Sequence, residues 1–215
     1  MMYAHVIFDL DGTLVDSSSE IHEAAVYVCR EHNLKIPTFD YIRSMTGSPP
    51  RLFFLDHGCR DDDVDALVIE FRSYLADHAG DPNRVFTPVL PLLTVLHQRS
   101  IRLSIATTKP TSLAVQLLGR YGLLHFFSHV QGTDAPLRHK PHPDIIYSCI
   151  KKTAAGGSSV MVGDTTFDVE AAHNASIDSI AVCTGAHSYD LLTQVSPSFL
   201  LHSLDEFLGI FSTSL

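Results

Sequence analysis

The sequence predicts an α/β fold: a doubly wound, Rossmann-like parallel sheet with an inserted α-helical domain. First, short apolar runs recur directly before turn residues, and helical patterns separate the later runs, as parallel βαβ units require. Second, residues 16–88 follow a 3.6-residue period and contain no convincing strand. Third, two carboxylates, Asp9 and Asp11, directly follow the first apolar run. Because parallel sheets bind ligands at the carboxyl ends of their strands, a candidate site is predicted together with the fold.

The strands of this sheet are assigned from four apolar runs and one weaker run. The four runs are residues 6–8, 103–106, 160–162 and 180–182, and the weaker strand is residues 127–130. Apolar residues at helical spacing begin at Leu92, Leu113 and Ile145 and indicate the intervening helices. We therefore assign residues 1–15 and 89–215 to an α/β core.

The inserted segment, residues 16–88, is predicted to be helical. Apolar positions between Ile21 and Val28 indicate one helix, and those between Val64 and Leu75 indicate another. The acidic run 61–63 precedes the second helix and is predicted to supply its N-cap and to complement its dipole. A segment that leaves the core directly after the first strand could close over the sheet edge, exclude water and contact a substrate.

Composition argues against several classes of protein. The chain has 215 residues, 45% of them hydrophobic and 18% charged, which is enough to bury a large core and argues against disorder. A net charge of −9 without a Lys/Arg-rich cluster argues against nucleic-acid partners. No signal-peptide pattern or long uncharged apolar stretch predicts a membrane partner. The four cysteines are widely spaced, which indicates reduced thiols. We expect a cytoplasmic protein, either a monomer or a homodimer.

The segment Asp9-Leu10-Asp11-Gly12-Thr13 has the strongest chemical signal in the chain. A carboxylate at a strand end can attack an electrophile and form an acyl phosphate. A second carboxylate two residues later can protonate a leaving group and then activate water. Asp-rich turns are usually solvated, but the buried strand before this segment and the Gly-Thr pair within it favour a catalytic interpretation.

Three further segments place polar groups where they could join this site. They are Ala106-Thr107-Thr108-Lys109-Pro110, Lys140-Pro141-His142-Pro143-Asp144 and Gly163-Asp164-Thr165-Thr166-Phe167-Asp168. Hydroxyls and free N–H groups in the first could bind phosphate oxygens. In the second, two prolines restrict the backbone and could fix the direction of Lys140. In the third, Asp164 and Asp168 lie one helical turn apart and could face one cleft.

With these four segments in this order, the chain resembles the haloacid dehalogenase superfamily of phosphatases and phosphotransferases, specifically its phosphoglycolate phosphatase-like branch. The resemblance implies that Thr107 binds phosphate and that Lys140 steadies the nucleophile and the transferring phosphoryl group. Thr108 stands where the family often has Asn and is included among the substrate-binding residues. Lys109 matches an accompanying structural lysine, and residues 16–88 match the helical cap.

The resemblance also implies a Mg²⁺ site. Carboxylate oxygens of Asp9 and Asp164, the backbone carbonyl of Asp11 and waters would provide the octahedral oxygen set that Mg²⁺ prefers. Asp168 would support these ligands through hydrogen bonds. The ion would offset the repulsion between a carboxylate nucleophile and an anionic phosphate.

We therefore expect a Mg²⁺-dependent phosphomonoesterase that acts on a small phosphorylated metabolite through an aspartyl-phosphate on Asp9. A sugar-phosphate mutase is the nearest alternative, because the same intermediate can pass to a sugar hydroxyl. Dehalogenation is disfavoured, since it does not need an acid at Asp11. From another class, a noncatalytic metabolite-binding module could retain this fold.

Substrate choice is expected to depend on the helical segment. Gly47 is predicted to lie on a loop that faces the site. Arg51, which follows this loop, could bind a second phosphate or could lie on the solvated surface. These residue identities do not distinguish phosphoglycolate from sugar phosphates, nucleotides or pyrophosphate.

Overall fold

The computed structural model describes residues 3–154 and 156–212, and six parallel strands within them form one sheet. The strands are β1 (His5–Phe8), β2 (Arg102–Ala106), β3 (His129–Gln131), β4 (Ser159–Gly163), β5 (Asp178–Val182) and β6 (Phe199–Leu201). Their order across the sheet is β3-β2-β1-β4-β5-β6. The order reverses between β1 and β4, so the carboxyl ends of these two strands form the switch point at which such sheets bind ligands.

The described residues also form ten α-helices. They are α1 (Ser18–Glu31), α2 (Phe39–Ser44), α3 (Pro50–Asp56), α4 (Val64–His78), α5 (Val89–Gln98), α6 (Thr111–Arg120), α7 (Asp144–Thr153), α8 (Thr166–Asn174), α9 (Tyr189–Gln194) and α10 (Phe207–Ser212).

Helices cover both faces of the sheet, because alternate residues of a strand point to opposite sides. Val6 and Phe8 of β1 belong to a core cluster that includes apolar residues of α5 and α6. Ile7, between them, belongs to a second cluster with apolar residues of α7 and α8. The central strands are therefore buried on both sides, which explains their short, uninterrupted apolar runs. The predicted doubly wound α/β fold is confirmed.

Helices α1 to α4 follow β1 and precede α5, and they pack around three phenylalanines. The ring centroid of Phe71 lies 5.4 Å from that of Phe53 and 5.9 Å from that of Phe54. The chain leaves and re-enters the core along two adjacent segments, where Val15 and Val85 form an antiparallel bridge. The boundaries between a core and an inserted domain at residues 15/16 and 88/89 stay predictions.

Two edge strands differ from the sequence prediction. The predicted strand 127–130 overlaps β3 only at His129 and Val130, because the N–H of Phe127 closes a 3₁₀ turn by donating to Leu124 O at 3.2 Å. Strand β6 was not predicted, since it has three residues and its first, Phe199, is exposed. Both strands lie at the edges of the sheet, where apolar patterning is weakest.

The acidic run supplies the N-cap residue of α4, as predicted, but not a capping hydrogen bond. Asp63 occupies the N-cap position, but its side chain makes no capping hydrogen bond. Its backbone has φ −98° and ψ −18°, whereas capping side chains usually extend from a β-region backbone. The Asp63 carboxylate instead accepts a hydrogen bond from Arg60 Nε at 2.7 Å.

Two further observations concern membrane-spanning helices and the cysteines. Among the described residues, no helix combines the length and apolar character needed to cross a bilayer. All four cysteines are free thiols, in agreement with the expectation from their spacing.

Candidate active site

Asp9 lies at the switch point, directly after β1. Its N–H donates to Val162 O at 2.8 Å and extends the ladder with β4 by one residue. Asp9 is 2% exposed, and its Oδ1 lies 2.9 Å from Lys140 Nζ. Lys140 Nζ also donates to Asp168 Oδ1 at 2.6 Å and to Ala106 O at 3.1 Å. These acceptors hold the Lys140 ammonium beside Asp9, so the structure brings together two residues from distant segments.

Asp164 follows β4 and is enclosed by two other segments. Its Oδ1 accepts a hydrogen bond from Thr13 Oγ1 at 2.7 Å, and its Oδ2 accepts one from Ala186 N at 2.8 Å. A Cβ on Gly12 or on Gly185 would collide with this carboxylate. Gly12 also has φ +80°, a conformation that glycine adopts without the cost imposed by a Cβ. Both glycines therefore allow the backbone to close tightly around Asp164.

Asp168 connects this site to the first turn of α8. Its Oδ2 accepts hydrogen bonds from Thr165 N at 3.0 Å and Thr165 Oγ1 at 2.6 Å. The first of these bonds and the Asp168 N–H, which donates to Thr165 Oγ1 at 3.4 Å, form a capping box. The other carboxylate oxygen of Asp168 accepts from Lys140. One carboxylate oxygen from each of Asp9, Asp164 and Asp168 lies within 4.8 Å of the others. Three carboxylates therefore converge at one buried point.

The charges of this cluster fit a divalent cation. Burial raises the pKa of Asp9 to about 7, although the Lys140 ammonium opposes that rise. Burial and the charges of Asp9 and Asp168 raise the pKa of Asp164 well above its ordinary value. Burial lowers the pKa of Lys140, but the two carboxylates that it contacts raise it above its ordinary value overall. When all are ionised, three carboxylates and one ammonium leave two negative charges, and oxygen donors suit a hard divalent ion.

Asp11 and the segment after β2 form the part of the site nearest the helices. Lys109 Nζ donates to Asp11 Oδ2 at 2.5 Å. Thr107 is fully buried, and its Oγ1 accepts a hydrogen bond from Lys109 N at 3.3 Å. Thr108 is partly exposed and lines a cleft beside Asp11. The lysine expected to be structural thus positions the carboxylate of Asp11.

The cleft lies between the sheet edge and helices α1 to α4. Its volume is about 40 Å³, room for the centres of only a few water molecules. Gly47 lines it with φ +88°, and a Cβ at this residue would lie 3.0 Å from Thr165 Cγ2. The loop between α2 and α3 therefore approaches the turn that follows β4. The cleft is lined by Asp11, Ile21, Ile42, Met45, Thr46, Gly47, Ser48, Pro50, Phe53, Phe71, Arg72, Leu75, Thr108, Lys109, Pro110 and Leu113.

Arg51 is not among the residues that line this cleft, and its assignment as a substrate ligand stays a prediction. Its Nη1 donates to Asp65 Oδ1 at 2.8 Å, and its Nη2 donates to Asp61 Oδ1 at 2.7 Å. The acidic residues around the start of α4 therefore bind the guanidinium at the surface. Arg72 of α4 lines the cleft instead. In the sequence, the contribution of Arg72 to the cleft is indicated only by its position directly after Phe71, a buried residue of α4.

The loop after β5 also contributes to the site and was missed by sequence reasoning. Besides the Ala186 N–H, it supplies Thr184, whose Oγ1 donates to Gly12 O at 2.7 Å. His187 Nδ1 accepts a hydrogen bond from Thr166 N at 2.9 Å, so its proton lies on Nε2 in the neutral form. A Thr-Gly pair at a predicted strand end was the available signal. Such contacts by backbone groups do not depend on side-chain identity and are hard to read from sequence.

Comparison with known proteins agrees with this geometry. A family model described as haloacid dehalogenase-like hydrolase matches residues 6–182. The chain belongs to this family of enzymes, and the resemblance inferred from its motifs is confirmed.

Three similar proteins cover nearly the same length. A Dickeya dadantii protein named "Probable phosphatase IndB" is 32% identical over 210 residues, which span 95% of this chain and 91% of that protein. A phosphoglycolate phosphatase from Agrobacterium fabrum is 31% identical over 188 residues, 83% of this chain and 80% of that protein. A haloacid dehalogenase-like hydrolase structure from Streptococcus pneumoniae is 30% identical with a TM-score of 0.86, and the match covers 97% of this chain and 98% of that one.

Proposed function

We propose that the protein is a Mg²⁺-dependent phosphatase that hydrolyses a small phosphomonoester through an aspartyl-phosphate on Asp9. The main support is the convergence of Asp9, Lys140, Asp164 and Asp168 at the buried switch point of the sheet. The names of the Dickeya and Agrobacterium relatives support a phosphatase. The small cleft beside Asp11 supports a small substrate.

Asp9 is the nucleophile in this proposal. Its carboxylate oxygen attacks phosphorus in line with the leaving oxygen, so an O–P bond to Asp9 forms as the ester O–P bond breaks. Lys140 offsets negative charge on Asp9 and on the phosphoryl oxygens. Asp9, Asp164 and the backbone carbonyl of Asp11 would hold Mg²⁺, with Asp168 in support. When bound, the ion would supply positive charge that allows an anionic phosphate to approach a carboxylate.

Asp11 transfers protons in both halves of the reaction. It gives a proton to the departing alkoxide oxygen, and it then accepts one from the water that attacks the aspartyl-phosphate. That second attack releases inorganic phosphate and restores the Asp9 carboxylate. Lys109 holds Asp11 Oδ2 at 2.5 Å, which leaves Oδ1 for proton transfer. Thr107 and Thr108 bind phosphoryl oxygens in this proposal.

The test is release of inorganic phosphate from p-nitrophenyl phosphate, with Mg²⁺ and after its removal by EDTA. We expect activity only with the ion, and a loss of at least about 10³-fold in Asp9→Asn with its circular dichroism unchanged. Asp190→Asn, at an exposed position on α9, is the matched control and should keep wild-type activity. Full activity in folded Asp9→Asn would exclude Asp9 as the nucleophile. Transfer to a sugar hydroxyl without phosphate release would indicate a mutase.

A further inference from the structure

Arg72 is a positively charged residue on the helical side of the cleft. It is half-buried on α4 and lines the cleft that also contains Asp11 and Lys109. Within residues 3–154 and 156–212 its guanidinium forms neither a salt bridge nor a side-chain hydrogen bond. Lys109 and Asp11, the other charged residues of the lining, bind each other. Arg51, on α3, is bound by two carboxylates.

The surroundings of Arg72 make this arrangement costly without a ligand. Phe53, Phe71 and Leu75 line the same cleft. Burial lowers the pKa of Arg72 below its ordinary value. A half-buried charge beside apolar groups loses hydration and is usually compensated by an opposite charge. The site therefore favours an anion that arrives with the substrate.

Asp134, the carboxylate whose charge acts on Arg72, already binds another residue. Asp134 raises the pKa of Arg72, but the two do not come within salt-bridge distance in the described chain. The Asp134 carboxylate accepts hydrogen bonds from Thr111 N at 3.1 Å and from Thr111 Oγ1. It holds the first turn of α6 and does not neutralise the guanidinium.

Arg72 also acts on the core segment that leads into Lys140. Burial, and secondarily the charge of Arg72, lower the pKa of His139 below its ordinary value. His139 Nδ1 is buried and has no hydrogen-bond partner among the described residues. The positive charge of Arg72 therefore acts on His139, the residue directly before Lys140.

We propose that Arg72 binds a second anionic group of the substrate, a carboxylate or a phosphate, while the scissile phosphoryl group lies at Asp9. This inference rests on the proposed phosphatase function and adds a substrate class to it: short phosphomonoesters with a distal oxyanion. A guanidinium offers a planar fork of donors that matches such an oxyanion. The cleft is small, which favours a short spacer between the two anions.

The experiment compares substrates that differ only in the distal group. Phosphoglycolate is paired with ethyl phosphate, and 1,3-propanediol bisphosphate is paired with propyl phosphate. The proteins are wild type, Arg72→Met, Arg72→Lys and the control Arg43→Met, whose arginine is exposed on α2. We expect Arg72→Met to lower kcat/KM about 100-fold on the ester with the distal oxyanion in at least one pair, and less than about threefold on the partner ester that lacks it. Arg72→Lys should restore part of the loss, and Arg43→Met should change neither substrate.

Each result decides the inference. The pair with the larger loss identifies the oxyanion that Arg72 binds. Equal losses on both members of each pair, or no loss on any substrate, would overturn the role of Arg72 in recognition. Wild type that releases no phosphate from any of the four esters or from p-nitrophenyl phosphate would overturn the proposed function itself. Wild type that hydrolyses all of them without an Arg72-dependent preference would overturn only the present inference.

Discussion

The two ends of strand β1 both bury polar side chains, but they differ in charge. At the amino end, His5 Nε2 lies 2.8 Å from Ser104 Oγ, and His5 Nδ1 lies 3.3 Å from Ser159 Oγ and 3.4 Å from Thr153 Oγ1. Burial, and then the charge of His129, lower the pKa of His5 to about 4. These neutral groups bind one another, so the cluster needs no ion or ligand.

At the carboxyl end, the carboxylates of Asp9, Asp164 and Asp168 converge, and the Lys140 ammonium contacts those of Asp9 and Asp168. The carboxylates accept hydrogen bonds, yet their negative charges exceed the positive charge available. Burial of polar groups therefore does not by itself indicate function. The excess negative charge is what distinguishes the carboxyl end, because a bound cation would offset it.

The sharpest test of this contrast replaces one residue at each end. Lys140→Met should lower kcat on p-nitrophenyl phosphate at least about 10³-fold, because it removes the positive charge beside Asp9. His5→Gln should stay within about twofold of wild-type kcat, since His5 faces no reacting group. Lys151→Met, at an exposed position on α7, is the control for charge removal. The contrast fails if folded His5→Gln loses as much activity as Lys140→Met.

The amino end should be visible instead in stability against pH. The folded pKa of His5, about 4, is below its unfolded value of 6.5, so the unfolded chain binds the proton more readily. Neutral, buried His5 makes its full contribution to the free energy of unfolding above pH 6.5, and this contribution falls by about 3 kcal/mol as the pH drops to 4.

Urea unfolding of Mg²⁺-free wild type and His5→Gln across this range measures that difference. The variant should show a shallower loss of unfolding free energy, because other titrating groups are shared and cancel in the comparison. Parallel curves for the two proteins would refute the assignment to His5.

The carboxyl end should respond to Mg²⁺. At about 100 times its dissociation constant, the ion should stabilise wild type by about 2.7 kcal/mol. Asp164→Asn keeps the shape of the side chain but removes one charge, and it should lose most of this shift. Thermal unfolding with Mg²⁺ or EDTA measures both. An equal Mg²⁺ shift in Asp164→Asn would show that the ion binds elsewhere.

The smallest effect lies away from both ends, at the residue beyond the C-cap of α8. Ser176 has φ +57°, a left-handed conformation that disfavours a Cβ. Ser176→Gly should raise the free energy of unfolding by about 0.5–1 kcal/mol, while Ser176→Ala should bring no gain. Denaturant midpoints would measure the change. Neither variant should alter the stabilisation by Mg²⁺ or the pH dependence of unfolding. A change in either would show that these effects are not confined to the two ends of β1.

The sequence predicted the buried centre of the fold better than its margins. Strands such as β1 and β4 are apolar on both faces, so their position depends on composition alone. The edge strand β6 has three residues, and helices α2 and α3 have six and seven, which are too few to show a clear period. Asp63 shows a second limit, because its hydrogen bond with Arg60 and its backbone angles decide that its side chain makes no capping bond.

The candidate site shows the same division between its two walls. Asp9, Asp164 and Lys140 occur in short motifs at strand ends, and the parallel topology brings such residues together. Arg72 and Arg51 occur in amphipathic helices where either could be solvated. Tertiary packing pairs Arg51 with two carboxylates and places Arg72 at the cleft. The helical side of the cleft was therefore the least predictable part of the site.

The antiparallel bridge between Val15 and Val85 has an evolutionary consequence. An excursion that starts and finishes at adjacent points can be lengthened, trimmed or transplanted without shifting the register of the strands beneath it. One reaction centre can in this way acquire new specificities by exchange of whole modules, while the residues that break and make bonds stay unchanged.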